Sequence, residues 1–161
     1  MRQKPLIVGT WRGAYSYDAP EMRELSPVAV GFELRLTQTR WQRFWRRFTG
    51  HVTDDAPFGV PGEGDIEGSC TRRRVRFTKR LPELHLAGPQ GLMSLADFLA
   101  THDYKLQRHF AHPPIYYDGE IAEDGSVTGT WLMEALNLRL DANGSELPFP
   151  RSTGTFQMRR L

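Results

Sequence analysis

The apolar positions of this chain recur mostly at every second residue. Val28, Val30, Phe32, Leu34 and Leu36 alternate with Ala29, Gly31, Glu33, Arg35 and Thr37. A period of two marks a strand with one face on a core and the other in water. The same alternation holds Val75 and Phe77, then Ile115, Tyr117, Gly119 and Ile121, then Val127, Gly129, Trp131 and Met133, and last Gly154, Phe156 and Met158. Turn-forming pairs separate these runs: Asp54-Asp55, Pro61-Gly62, Asp124-Gly125 and Asn143-Gly144. Glu123-Asp124-Gly125-Ser126 between two alternating runs predicts a hairpin. One segment has a different period. Leu92, Leu95, Ala96 and Leu99 fall at i, i+3, i+4 and i+7, which predicts a short helix near 95–101 inside an insertion spanning 88–112. Ser94, three residues before Asp97, starts it, and Pro113-Pro114 stops any continuation. The pattern predicts an all-β fold, an antiparallel barrel of about eight to ten strands with that one helix, as a single domain over 1–161.

Glycine adds the curvature. A Gly followed two residues later by an apolar or aromatic residue recurs as Gly9-Thr10-Trp11, Gly50-His51-Val52, Gly68-Ser69-Cys70, Gly119-Glu120-Ile121, Gly129-Thr130-Trp131 and Gly154-Thr155-Phe156. Glycine at inward positions lets a sheet coil tightly or admits a bulky neighbour.

Composition narrows the class. With 39% hydrophobic and 25% charged residues the chain reads as globular, and no apolar run approaches the length of a membrane-spanning helix. The start, Met1 to Trp11, has no apolar core followed by a small-residue cleavage site, so no signal peptide is expected. Cys70 is the single cysteine, which excludes a disulfide within these residues and a cysteine-based zinc finger. A reducing cytoplasmic location is the expectation. The net charge of +2 does not imply nucleic acid. Its distribution is uneven: residues 35–80 carry eleven Arg and Lys against five acids, with Arg72-Arg73-Arg74 and Arg76 the densest run.

Leu6-Ile7-Val8 followed by Gly9-Thr10-Trp11-Arg12-Gly13 resembles the first strand of the calycin superfamily, the lipocalin and nitrobindin-type small β-barrels. The phrases 48–55, 66–70 and 75–80 are similar to a group of uncharacterised bacterial lipocalin-like barrels. The resemblance implies that Trp11 closes one end of the barrel and that Arg159 or Arg160, in the last strand, packs over it. A barrel of about eight strands either fills with side chains or leaves room for one ligand. Nitrobindin-type barrels bind haem through a histidine near the C-terminal end; here the last histidine is His112, so the resemblance does not extend to haem.

Parity along the strands gives the candidate ligand-binding residues. Trp11, Tyr15 and Tyr17 share a face with Gly9 and Gly13. Phe44, Phe48 and Val52 share one with Arg46 and Gly50, and Val75 and Phe77 share one with Lys79. Trp11, Tyr15, Tyr17, Phe48, Phe77, Tyr117 and Trp131 are expected to line the barrel, with Arg46 and Lys79 at its polar end and the insertion as a lid. The expected activity is non-enzymatic binding of a small apolar or amphipathic molecule. No catalytic residue is assigned, because no nucleophile elbow, P-loop or carboxylate pair is present; the acids Asp54-Asp55 and Glu123-Asp124 are assigned to turns. Cys70 is read as a small buried hydrophobe.

Two alternatives stand beside that reading. Arg40-Trp41-Gln42-Arg43-Phe44-Trp45-Arg46-Arg47-Phe48 interleaves aromatic and basic residues. Read as a strand over 40–48, it turns Trp41, Arg43, Trp45 and Arg47 outward, which suits a filled barrel acting as a protein-interaction or homodimer module. The same interleave could stack bases or meet a membrane surface, but the expectation for the protein is no nucleic-acid partner and no membrane partner. The other alternative is a haem or metal protein using the His102–His112 segment. His102, His109 and Asp103 are its first candidates, but their spacing assigns no metal and identifies no cofactor.

Overall fold

The computed structural model describes residues 7–26, 29–88, 91–101, 110–140 and 144–161. Eight strands form one closed antiparallel barrel: β1 (Gly9–Tyr17), β2 (Val30–Thr37), β3 (Arg47–Asp54), β4 (Glu63–Cys70), β5 (Arg74–Arg80), β8 (Ile115–Ile121), β9 (Val127–Met133) and β12 (Ser152–Arg160). Their order around the barrel is β1-β12-β9-β8-β5-β4-β3-β2, closed by β2 pairing with β1. The alternating runs are the strands, and their apolar members face the lumen: Phe32, Leu34, Leu36, Val75, Phe77, Tyr117, Val127, Trp131, Phe156 and Met158 are all buried. Val28 lies outside the described residues.

Two hairpins stand outside the barrel. One is β6 (His85–Gly88) with β7 (Gly91–Ser94), followed by α3 (Leu95–Thr101); the other is β10 (Leu136–Arg139) with β11 (Glu146–Phe149). The first leaves the barrel between β5 and β8, the second between β9 and β12, so both emerge from the same end. They bury a second apolar cluster between them, in which Leu84, Leu95 and Leu99 of one insertion pack with Leu138 and Leu140 of the other. The helix predicted near 95–101 is α3, and Ser94 starts it: its hydroxyl accepts from the Asp97 amide at 3.1 Å.

The barrel ends differ in chemistry. Ile7, Trp11, Leu34, Leu36, Phe48, Val75, Val127 and Met158 fill one end, which is apolar. The strand register puts Trp11 opposite Arg160 and Arg12 opposite Arg159, so the two termini of the barrel meet there as expected. The Arg160 guanidinium lies against Gly9, where a Cβ would sit 3.0 Å from Nε. The Trp11 indole N–H donates to the Ile7 carbonyl at 2.8 Å, which satisfies it inside the apolar plug.

Residues 40–48 are not a strand. α2 (Arg40–Phe44) occupies this stretch, and β3 begins only at Arg47. A capping box wins over the alternating pattern: the Thr39 hydroxyl accepts from the Gln42 amide at 3.2 Å, and Gln42 Oε1 accepts from the Thr39 amide at 2.8 Å. Arg46, at φ 55°, makes the left-handed turn from helix to strand. A third short helix, α1 (Pro20–Leu25), starts on a proline, which suits the first helical turn, and lies between β1 and β2.

Candidate functional site

The end of the barrel under the two insertions is polar. β3 carries Val52 and then Asp54 at inward positions, and β5 carries Phe77 and then Lys79. The register β3-β4-β5 places both charged residues at the same rim. Lys79 Nζ donates to Asp54 at 2.6 Å (Oδ1) and 2.5 Å (Oδ2). The side chains are 2% and 0% exposed, so this is an ion pair taken out of water. The Tyr15 hydroxyl donates to Asp54 Oδ2 at 3.3 Å, and Lys79 Nζ lies 5.3 Å from the centre of the Tyr15 ring.

Aromatic rings wrap the pair. Tyr15 stands edge-on to Trp131 at 6.1 Å and Tyr17 edge-on to Trp131 at 5.1 Å. Phe77 stacks on Tyr117 at 4.5 Å, and Phe156 closes edge-on against both. The Trp131 indole N–H donates to the Ser16 carbonyl at 3.0 Å. These rings touch one another across the lumen and fix each other's rotamers.

Electrostatics follow burial. Burial, with the Asp54 charge second, pushes the Tyr15 and Tyr117 hydroxyl pKa values well above the usual tyrosine value. Burial also lowers Lys79, against the opposing pull of Asp54. His112, half-buried beside the rim, is lowered chiefly by burial, and it feels both Lys79 and Asp54. Its Nδ1 donates to the Pro113 carbonyl at 2.7 Å.

These shifts set the alkaline limb of stability. Below about pH 10 folded and unfolded chains both hold the Tyr15 and Tyr117 protons. Above it the unfolded chain loses them first, so stability falls as pH rises. Lys79 has the opposite sign: the fold sheds its proton before the unfolded chain does, so stability rises as pH approaches about 10.4. Tyr117→Phe is therefore expected to flatten the fall above about pH 10 without altering the rise below it. Urea denaturation midpoints measured from about pH 8 to about pH 12 check this; an unchanged alkaline limb would show that Tyr117 ionises freely.

A groove of about 480 Å³ runs beside this rim. Phe110, His112, Pro113 and Pro114 form one wall, and Glu134, Ala135 and Leu136 the other. It lies between the exits of the two insertions, and His112 belongs both to the groove and to the electrostatic surroundings of Lys79 and Asp54.

Of the expected ligand-binding residues, Tyr15, Tyr17, Phe77, Lys79, Tyr117 and Trp131 come together at this rim. Trp11 and Phe48 lie in the apolar end, away from it. Arg46 is not in the lumen at all: it is exposed in the turn after α2, because the capping box shifts the start of the strand to Arg47. Phe44, expected to share its inward face, is 73% exposed. Asp54 was missed by the turn assignment. Its acid precedes Asp55 at a real turn, but it continues the inward parity of Phe48, Gly50 and Val52, and that parity carries the signal. His102, Asp103 and His109 lie outside the described residues. Among the described residues no group of three His, Cys, Asp or Glu side chains is placed to hold a metal. Cys70 is buried, and burial raises its thiol pKa. No helix among the described residues is long and apolar enough to cross a membrane. In comparisons with known proteins, no family model matches the chain and no curated protein matches it.

Proposed function

We propose that this chain is a calycin-like binding protein for a small amphipathic molecule with an anionic or strongly hydrogen-bond-accepting head. The ligand's apolar body lies in the groove between Phe110–Pro114 and Glu134–Leu136. Its head reaches past His112 toward Lys79 and the Tyr15 hydroxyl. The observation that carries this reading is the Asp54–Lys79 pair, fully buried at one end of an otherwise apolar barrel. A buried ion pair is a poor device for stability, since well-packed apolar residues of like volume do as well or better. Its place next to a groove suits recognition: a buried ammonium gives a ligand's anionic group a strong charge-assisted hydrogen bond. The insertion over 88–112 is the lid of this reading, and its His112 lines the groove.

Anilinonaphthalene sulfonate, an apolar anion that fluoresces when desolvated, is the probe. It is expected to bind the intact protein. Lys79→Met combined with Asp54→Leu, which removes both charges and leaves neither unpaired, is expected to weaken binding about tenfold or more. Ala135→Trp fills the groove from an exposed position and is expected to abolish binding. Unchanged affinity in both variants, each shown folded by its thermal transition, defeats the proposal. Native mass spectrometry of the freshly purified protein reports any ligand carried through purification.

A further inference from the structure

The opposite end of the barrel carries a second feature, independent of the buried pair. α2 buries none of its residues. Trp41 is 77% exposed, Phe44 73% and Trp45 66%, and Phe44 stands edge-on to Trp45 at 5.1 Å. Large aromatic side chains carry roughly 150–250 Å² each. Three of them standing out on one short helix and its cap form an apolar knob, which a monomer in water has no reason to display.

The surroundings of the knob are basic. Arg40, Arg43 and Arg46 flank the aromatics within the segment itself. The β4–β5 turn lies alongside, since the Cys70 amide donates to the Arg46 carbonyl at 2.9 Å, and it adds Arg72 and Arg73. Arg47 and Arg74 are answered by Glu67 and Asp118. Glu123 and Asp124 sit in the β8–β9 turn, across the barrel from α2 in the strand order. Exposed aromatics with Arg40, Arg46, Arg72 and Arg73 nearby therefore stand on the α2 side of this end.

We infer that this face docks on an anionic lipid bilayer, with Trp41, Phe44 and Trp45 entering the interface and the arginines meeting lipid phosphates. The form of the surface favours this occupant. Its three aromatics stand exposed on a helix that buries none of its residues. Two copies meeting symmetrically through it would set arginine against arginine. Tryptophan favours the headgroup level of a bilayer, and each basic residue near an anionic leaflet adds to the attraction. The sequence predicts no membrane partner; in the structure the helix gathers the three aromatics onto one exposed element instead of alternating them along a strand.

Flotation with vesicles tests it. The protein is expected to float with vesicles of equal parts phosphatidylcholine and phosphatidylglycerol, but not with phosphatidylcholine alone, and to be released by added salt. Trp41→Ala combined with Trp45→Ala is expected to lower partitioning about tenfold or more. Arg40→Ala and Arg72→Ala are expected to lower it about fivefold each. All four positions are exposed, so thermal midpoints should match the parent. Absence of binding to anionic vesicles overturns the proposal, as does binding that the aromatic double variant leaves intact. A dimer in solution that the same variant dissolves, or tighter capture by a single-stranded oligonucleotide than by anionic vesicles, assigns the face to another partner and overturns it as well.

Discussion

Asp54→Ala is expected to destabilise the protein by about 3–5 kcal/mol at neutral pH. The substitution removes the partner of an ammonium that is 2% exposed and leaves the Tyr15 hydroxyl without its acceptor. Two costs add: the charge of Lys79 loses its Coulombic compensation, and a buried donor loses its bond. The cost carries its own pH signature. Lys79 in the variant is depressed further, so the fold binds fewer protons than the unfolded chain, and stability recovers as pH rises toward about 10.4. Asp54→Leu with Lys79→Met is expected to lie within about 1 kcal/mol of the parent or above it, because neither charge remains to be desolvated. Urea unfolding of the single and double variants at two pH values measures both statements. A loss below about 1 kcal/mol for Asp54→Ala would mean that water reaches Lys79.

Gly154→Ala is the second large effect, about 3 kcal/mol of destabilisation, at the top of the usual range for overpacking. A Cβ at this position would lie 1.8 Å from the Ser16 carbonyl oxygen and 2.4 Å from Trp131 Nε1. The first is backbone and cannot rotate away, so β1 and β12 must separate where they pair. The indole N–H bond from Trp131 to that same carbonyl is lost with it. Thr155→Ala, on the outward face one residue later, is the control and should stay within about 0.5 kcal/mol. Denaturant midpoints of the pair decide it; equal midpoints would show that the strands yield at little cost.

The barrel was legible in the chain because its strands have one wet face. Residues 30–36, 115–121, 127–133 and 154–158 alternate without interruption, and parity then assigns the lumen correctly at Tyr15, Phe77, Lys79, Tyr117 and Trp131. Parity also misled once. Arg40 to Phe48 alternates well enough for a strand, but a hydrogen-bonded box spanning only Thr39 and Gln42 turns it into a helix, and every side chain up to Arg46 changes place. A local cap of this kind leaves a four-residue trace that a two-residue period overrides. Asp54 was hidden for a different reason. Acid pairs usually mark turns, and Asp55 is in one, where it pairs with Arg12; that the preceding carboxylate points inward depends on a lysine 25 residues later. The groove was not legible at all, because two insertions separated along the chain form it together.

Closure of the cylinder between β1 and β12 sets a condition on biosynthesis. Tyr15 pairs with Phe156, and Trp11 with Arg160. Until the ribosome has released Ser152–Arg160, β1 and β9 each keep an unsatisfied edge, and the aromatic lumen stands open to water. Contacts this distant along the chain are slow to form. The nascent protein therefore passes through a gapped sheet whose two open edges invite foreign strands until the last strand arrives.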